Sequence, residues 1–206
     1  QFTLKEPVNY EITRELNSWR RILYLRNLIG QDAQRYNGSS YGNVSQRVGD
    51  YYAQKKKKSF IISGTQTGYL ANLTEQHYAT VLEYYPERNL VIAEGPIKAS
   101  SESMTHSAVY DEADLVRFVF HAHTPYIWNC AKILDVPITN ENVEYGTPEL
   151  VEEIKRLFKD SNVSEKYIFS IGGHEDGIIT FGRNADEAGS IMLYYLSQAY
   201  LKLFSN

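Results

Sequence analysis

The sequence has a single cysteine, Cys130, among its 206 residues. One cysteine cannot form a disulfide within the chain, and the apolar context YIWNCAKIL predicts a small buried side chain rather than a nucleophile. The sequence also lacks an apolar run near the roughly 20 residues that a transmembrane helix needs, and it lacks the charged start and apolar stretch of a secretion signal. These absences predict a cytoplasmic protein with no membrane partner.

Positive charge is scarce as well. The chain has 21 lysines and arginines against 25 aspartates and glutamates, which gives a formal net charge of -4. Such a chain has no basic field to attract the phosphates of a nucleic acid, so we expect no nucleic-acid partner. The run Lys55 to Lys58 is too short for a polyanion-binding tract, and it predicts a solvated turn at the tip of a hairpin.

Helical and strand patterns alternate along the chain without an internal repeat or a low-complexity linker, which predicts one layered α/β domain over residues 1–206. The predicted helices cover residues 9–29 with Gly30 as C-cap, residues 73–85, the second half of 98–115, a helix that starts at Thr147-Pro148, and residues 188–204 after a capping box at Asn184 and Glu187. The predicted strands are a hairpin within residues 41–64 and the segments 89–95, 116–123, 167–174 and 177–182.

Two histidines stand one residue apart in the stretch FHAH, at His121 and His123. Side chains two apart on a strand point to the same face, so the pair could bind one ion. Zinc in catalytic sites usually takes three protein ligands, and His174, which follows the strand YIFSIGG, is the best third candidate. The alternative is a histidine pair with ordinary hydrogen bonds, which the two residues taken alone favour.

The segment KASSESMTH places Glu102 and His106 four residues apart, on one face of the helix that begins there. Ser100 and Ser101 would lie at the N-terminus of this helix, where free backbone N–H groups favour a bound phosphate, although simple helix capping is an alternative. The small residues of GNVS (Gly42 to Ser45) and QTG (Gln66 to Gly68) would let an anion approach the backbone at two other points.

Five segments, taken together and in this order, resemble the class II aldolase/adducin family: GNVS, FIISGTQTG, SSE followed by His106, FHAHTP, and GGHEDGIITFGRNADEA. The resemblance spans roughly residues 20 to 190. It implies an α/β fold, namely a single three-layer domain with a central, mostly antiparallel sheet flanked by helices. It also implies that His121, His123 and His174 bind Zn²⁺ or another divalent metal, that Glu102 is the catalytic carboxylate, and that a substrate phosphate is bound by Asn43, Thr67, Gly68, Ser100 and Ser101.

The function implied by the resemblance is that of a zinc-dependent lyase of the aldolase type, which acts on a phosphorylated ketose through a metal-stabilised enediolate. The alternatives within the family are an epimerase or dehydratase that uses the same metal site, and an adducin-like interaction domain without catalysis. The resemblance further implies a homotetramer that binds a small-molecule sugar phosphate. The sequence departs from the family where Glu175 and Asp176 separate His174 from Gly177, because relatives often have glycine directly after this histidine.

Overall fold

The computed structural model describes residues 1–204. The strands are β1 (Phe2–Leu4), β2 (Gly30–Gln31), β3 (Ser40–Tyr41), β4 (Asn43–Arg47), β5 (Phe60–Ser63), β6 (Tyr78–Tyr85), β7 (Leu90–Gly95), β8 (Phe118–His123), β9 (Ile168–Ser170) and β10 (Gly177–Gly182). The helices are α1 (Tyr10–Leu25), α2 (Ser103–Glu112), α3 (Pro125–Cys130), α4 (Pro148–Asp160), α5 (Val163–Lys166) and α6 (Ala185–Phe204). Among these helices of residues 1–204, none has the length and apolar content to cross a membrane.

Eight strands form one sheet in the order β1-β7-β6-β5-β4-β8-β10-β9, and β2 pairs with β3 in a small second sheet. Within the large sheet, β1 runs parallel to β7, and the other neighbouring pairs are antiparallel. The predicted fold class, a central and mostly antiparallel sheet flanked by helices, is confirmed.

Two apolar clusters cover the two faces of this sheet. On one face, Leu16 of α1 and Met192 of α6 belong to the same cluster as Phe120 of β8. On the other face, Val109 of α2 belongs to the same cluster as Val119 of β8. Because successive side chains of a strand point to opposite faces, β8 contributes to both clusters, and the helices form two layers around the sheet.

Several local predictions agree with the structure. Strands β4 and β5 form the predicted antiparallel hairpin. The hydroxyl of Thr147 accepts a hydrogen bond from the backbone N–H of Leu150 at 3.3 Å, which caps α4 as predicted. At the start of α6, the side chain of Asn184 accepts from the backbone N–H of Glu187 at 2.8 Å. Both caps satisfy N–H groups that have no partner within the helix.

The prediction of a helix over residues 73–85 is wrong. A short 3-10 turn, Glu75–His77, is followed by strand β6, which pairs with β5 on one side and β7 on the other. The residues YATVLEYY combine aromatic and β-branched side chains, which favour a pleated surface. Pairing with two neighbouring strands therefore outweighs the weaker helical spacing of the apolar residues.

Two further predictions need correction at their ends. Helix α1 ends at Leu25 rather than residue 29, and Asn27, with φ of +56°, takes the left-handed conformation that was assigned to Gly30. In the lysine run, Lys58 is buried rather than solvated, and its ammonium group donates to the carbonyl of Tyr110 at 2.8 Å and to Asp114. A buried ammonium group requires such acceptors, and here they come from the end of α2 and the residues after it.

Candidate metal centre and active site

The structure brings the three predicted histidines together. His121 and His123 lie on one face of β8, and His174 lies in the turn between β9 and β10, after a strand that ends at Ser170 rather than at the histidine. One nitrogen from each ring can be chosen so that all three atoms lie within 4.8 Å of one another. The Nε2 atoms of His123 and His174 are 2.9 Å apart.

The electrostatic surroundings keep these imidazoles neutral. Burial lowers the pKa of His121 and His123 well below the usual value, and the neighbouring imidazoles lower it further. Burial also lowers the pKa of His174 to about 4. A neutral imidazole presents a lone pair, which is the form that binds a metal ion.

The spacing of the ring nitrogens fits a divalent ion. Ligand nitrogens about 2.1 Å from a tetrahedral zinc ion stand about 3.4 Å from one another. The 2.9 Å separation of the His123 and His174 nitrogens is close to this spacing. The Nε2 atom of His121 is buried and has no hydrogen-bond partner among the described residues, so a bound ion would satisfy it.

Asn43, a predicted phosphate-binding residue, lines the cavity and also lies beside His121. Asn43 pairs with His121 across β4 and β8, and its amide nitrogen is 3.2 Å from Nδ1 of that ring. If Nε2 of His121 binds an ion, Nδ1 carries a proton and needs an acceptor. A half-turn of the Asn43 amide brings Oδ1 to this position, and this atom has no partner among the described residues. Asn43 is therefore suited to orient the ligand.

Glu102 is a buried carboxyl group that lines the same cavity as the three histidines. It is 3% exposed and forms the N-cap residue of α2. Its Oε2 atom accepts from the hydroxyl of Thr105 at 2.8 Å, whereas Oε1 has no partner within residues 1–204. Burial raises the pKa of Glu102 to about 7, against the smaller lowering effect of the Thr105 hydrogen bond. This carboxyl group can both take up and release a proton near neutral pH.

The predicted anion-binding residues lie in two loops that face the same cavity. Thr67 and Gly68 lie in the loop after β5, and Ser100 and Ser101 lie directly before α2. The backbone N–H groups of Thr67, Gly68 and Ser101 donate to no other residue that the structure describes. Three such unpaired donors, together with the serine hydroxyl groups, form a neutral cradle that suits a phosphate.

The close packing of the first loop requires a glycine. A Cβ atom at Gly68 would lie 2.5 Å from the carbonyl oxygen of Gly30 and 2.9 Å from that of Tyr41. Any side chain at this position would displace the backbone of β2 and β3. The conformation of the loop, and with it the direction of its N–H groups, depends on this close approach.

All the predicted site residues line one cavity of about 420 Å³. Within residues 1–204, its lining contains no lysine or arginine, and its carboxyl groups are those of Glu102 and Glu175. A bound anion would therefore be held by dipoles and by any metal ion rather than by a cationic side chain.

The sequence analysis missed Arg20, which holds the first loop in place. Its guanidinium group donates to the carbonyl oxygens of Thr67 at 3.1 Å and Gly68 at 2.9 Å, and also to that of Leu70. Arg20 is 2% exposed. The signal was present in the sequence, because an arginine four residues after Leu16 lies within the buried stripe of α1.

Three more buried or cavity-lining groups were not assigned a role from the sequence. His106 is fully buried, and its Nδ1 atom is 2.6 Å from the hydroxyl of Ser45, which is itself 2.7 Å from that of Tyr110. Tyr145 lines the cavity, and its ring centre is 4.0 Å from that of His174. Tyr36 lines the same cavity and packs its ring against His123.

Comparison with known proteins agrees with this fold. The family model of the class II aldolase and adducin N-terminal domain matches residues 29–202. The chain therefore belongs to the class II aldolase and adducin family. No curated protein sequence gives a match.

Solved structures of the same architecture cover nearly the whole chain. An L-fuculose-1-phosphate aldolase from Thermus thermophilus is 19% identical, with a TM-score of 0.66 over 96% of this chain and 95% of its own. Another L-fuculose 1-phosphate aldolase is 18% identical, with a TM-score of 0.68 over 97% and 89% of the two chains. A sugar-phosphate aldolase from Thermotoga maritima is 16% identical, with a TM-score of 0.66 over 95% and 97%. At these identities the likeness shows the fold alone.

Proposed function

We propose that the chain is a zinc-dependent lyase of the aldolase type, which breaks or forms a C–C bond in a phosphorylated ketose. The observation that carries this proposal is that three neutral imidazoles, a buried carboxyl group and residues with unpaired backbone N–H groups line one cavity. Burial of a carboxyl group that has one oxygen without a partner reduces stability, and an interaction domain without catalysis would gain nothing from it.

His121, His123 and His174 would hold the ion. When bound, zinc would polarise the carbonyl group of the ketose and stabilise the negative charge that develops as the C–C bond breaks. Three neutral ligands suit this role, because they leave the full double charge of the ion available to the substrate.

Glu102 would move the proton. Burial raises the pKa of this carboxyl group to about 7 in the protein without metal, and a bound cation would lower it, so the ionised form that accepts a proton is accessible at neutral pH. It can therefore remove a proton from a substrate carbon or hydroxyl group in one direction and return it in the other. Burial beside the cavity keeps water from competing for that proton.

The substrate phosphate would lie against the cradle formed by Thr67, Gly68, Ser100 and Ser101. Asn43 would contribute indirectly, because it orients His121, which would hold the ion next to this subsite. Because lysine and arginine are absent from the lining within the described residues, affinity for phosphate should depend only weakly on salt, in contrast to a site made of cationic side chains.

We also propose that the chain assembles as a homotetramer and resides in the cytoplasm. Tyr200, Leu203 and Phe204 at the end of α6 are 40%, 47% and 67% exposed, which suits a surface that a second subunit covers. Cys130 is buried, so it is protected in a reducing or an oxidising compartment alike.

The proposed chemistry can be tested without knowledge of the aldehyde product. The zinc-loaded protein is incubated with dihydroxyacetone phosphate in heavy water, and loss of the carbon-bound proton signal is followed by NMR. We expect exchange in the wild type and a decrease of at least about 100-fold in Glu102→Gln with zinc retained, because the amide keeps the shape of the side chain but cannot take up the proton.

A matched control is Glu112→Gln, at the opposite end of the same helix, which pairs with Lys55 outside the cavity. It should exchange at the wild-type rate. Full zinc occupancy without any exchange would contradict the proposed function. Exchange without aldehyde-dependent C–C bond formation across a panel of aldehydes would favour the epimerase or dehydratase alternative.

A further inference from the structure

One carboxylate next to the histidine group receives hydrogen bonds from a distant part of the chain. Asp176 is 6% exposed, and its Oδ2 atom accepts from the hydroxyl of Tyr36 at 2.5 Å and from the guanidinium group of Arg35 at 3.0 Å. Arg35 also donates to the hydroxyl of Tyr36. These three residues, called here the Asp176 clamp, join the segment before β3 to the turn before β10.

The clamp lies beside two of the three candidate ligands, His123 and His174. Asp176 lies two residues after His174, and its carbonyl oxygen accepts from the backbone N–H of Thr124 at 2.9 Å, directly after His123. The ring of Tyr36 meets the ring of His123 edge to face, with the centres 4.6 Å apart. The clamp therefore lies next to the two rings whose Nε2 atoms are 2.9 Å apart.

Tyr41 extends the contact around His123. Its ring centre is 5.1 Å from that of Tyr36 and 5.5 Å from that of His123, and the guanidinium carbon of Arg35 lies 5.3 Å from its ring centre. The rings of Tyr36 and Tyr41 thus both pack against His123. Rings packed in this way restrict the rotation of the imidazole.

The backbone of the clamp adopts a conformation that side chains other than glycine rarely take. The φ angles are +51° at Tyr36, +55° at Asn37 and +63° at Asp176. The left-handed region is disfavoured for a bulky residue such as tyrosine, so the surrounding contacts must hold it there. Asparagine and aspartate tolerate this region, so Tyr36 is the residue whose conformation depends most on its contacts with Asp176 and Arg35.

We propose that the Asp176 clamp positions His123 and His174 for metal binding before the ion arrives. This inference rests on the metal centre of the proposed function. A ligand set that is already held in place does not lose rotational freedom on binding, so its affinity for the ion is higher. The guanidinium group of Arg35 offsets the negative charge of Asp176, so the clamp acts by holding the rings in place rather than by attracting the ion. Arg35, Tyr36 and Asp176 are thus positioning residues.

Zinc affinity measured by competition with a chromophoric chelator tests the clamp. Asp176→Asn keeps the shape and the tolerance for the left-handed conformation but removes the charge, and it should weaken zinc binding by about 10- to 100-fold. Tyr36→Phe keeps the ring but removes one hydrogen bond, and it should weaken zinc binding by about 2- to 10-fold. In the cobalt-substituted protein, both variants should alter the visible absorption spectrum, which reports ligand geometry.

Two matched controls exist elsewhere in the chain. Asp135 has a φ of +54° and pairs with Lys166 at 2.7 Å, so Asp135→Asn makes the same substitution in a similar backbone conformation, at an exposed ion pair outside the cavity. The hydroxyl of Tyr84 donates to Asp111 at 2.6 Å, so Tyr84→Phe removes an equivalent hydrogen bond. Both controls should bind zinc within about twofold of the wild type, because distant sites act independently.

An unchanged zinc affinity and cobalt spectrum in Asp176→Asn would overturn the inference. If that variant does not fold, Tyr36→Phe decides the question in the same way. This failure differs from a failure of the proposed function, in which the wild type itself would bind no zinc or would not exchange a substrate proton.

Discussion

Substitution of Glu102 should change how folding stability depends on pH. Burial raises the pKa of this carboxyl group from 4.5 to about 7 in the folded protein, so the folded state binds the proton more tightly than the unfolded state does. The stabilisation that the neutral carboxyl group provides is fully present below pH 4.5 and is lost as the pH rises toward about 7. Over this range the free energy of unfolding should fall by about 3 kcal/mol for this one group, at about 1.36 kcal/mol for each unit of pKa shift.

The assay is urea unfolding of the wild type and Glu102→Gln from about pH 4.5 to about pH 8.5, with a chelator present so that no metal cation alters the pKa. The glutamine does not titrate, and the histidines titrate alike in both proteins. The stability of the wild type relative to the variant should therefore decrease by about 3 kcal/mol between the two ends of the range. A constant difference across the range would refute the view that Glu102 is buried as a neutral acid near neutral pH, and would remove the main reason to assign it the proton transfer.

The remaining predictions concern the metal, the anion loop and the assembly. The wild type should contain about one zinc ion per chain and His123→Ala should lose most of it, because two imidazoles bind far more weakly than three, whereas His77→Ala should retain it. Full retention of zinc by His123→Ala would exclude the three-histidine centre. Arg20→Met should lower the free energy of unfolding by about 3 kcal/mol, since it leaves three carbonyl groups without a donor, and Arg21→Met, which removes one such bond, by about 1 kcal/mol. Equal effects in urea unfolding would contradict the role given to Arg20. Light scattering at micromolar concentration should give the mass of a tetramer, and a monomer would rule out this assembly.

The histidine pair and its strand could be predicted from the sequence because two independent constraints meet there. Few residue types bind zinc, and the period of a strand fixes which of them share a face. In FVFHAH, the apolar residues Phe118, Phe120 and Ala122 alternate with Val119, His121 and His123, and the structure separates the two sets onto opposite faces. The shared face of the two histidines thus follows from six consecutive residues, whereas their metal-binding role also rests on His174 and the other segments of the site.

Where the apolar residues of a segment fit both a helical and a strand period, the sequence alone could not predict the secondary structure. In LTEQHYATVLEYY, the apolar residues suit a helix about as well as a strand, and the outcome depends on the neighbours. Strand β6 is a central strand whose backbone groups pair with β5 and β7. These partners lie in other parts of the chain, so the local pattern could not reveal them.

The residues that hold the site in place could not be predicted for a related reason. Asp176 and Tyr36 are 140 residues apart, and Arg20 and Thr67 are 47 residues apart. The spacing of Arg20 from Leu16 indicates a buried position but does not identify its partner, and the types of Asp176 and Tyr36, which are common at surfaces, carry no such signal. Their pairing follows from the sheet order, which sets β8 between β4 and β10 and so brings the segments before β3 and before β10 to the same end of β8. Few residue types can bind a metal ion, so candidate ligands can be found in the sequence. The residues that position those ligands can be of many types and are brought together by the fold, so the structure is needed to identify them.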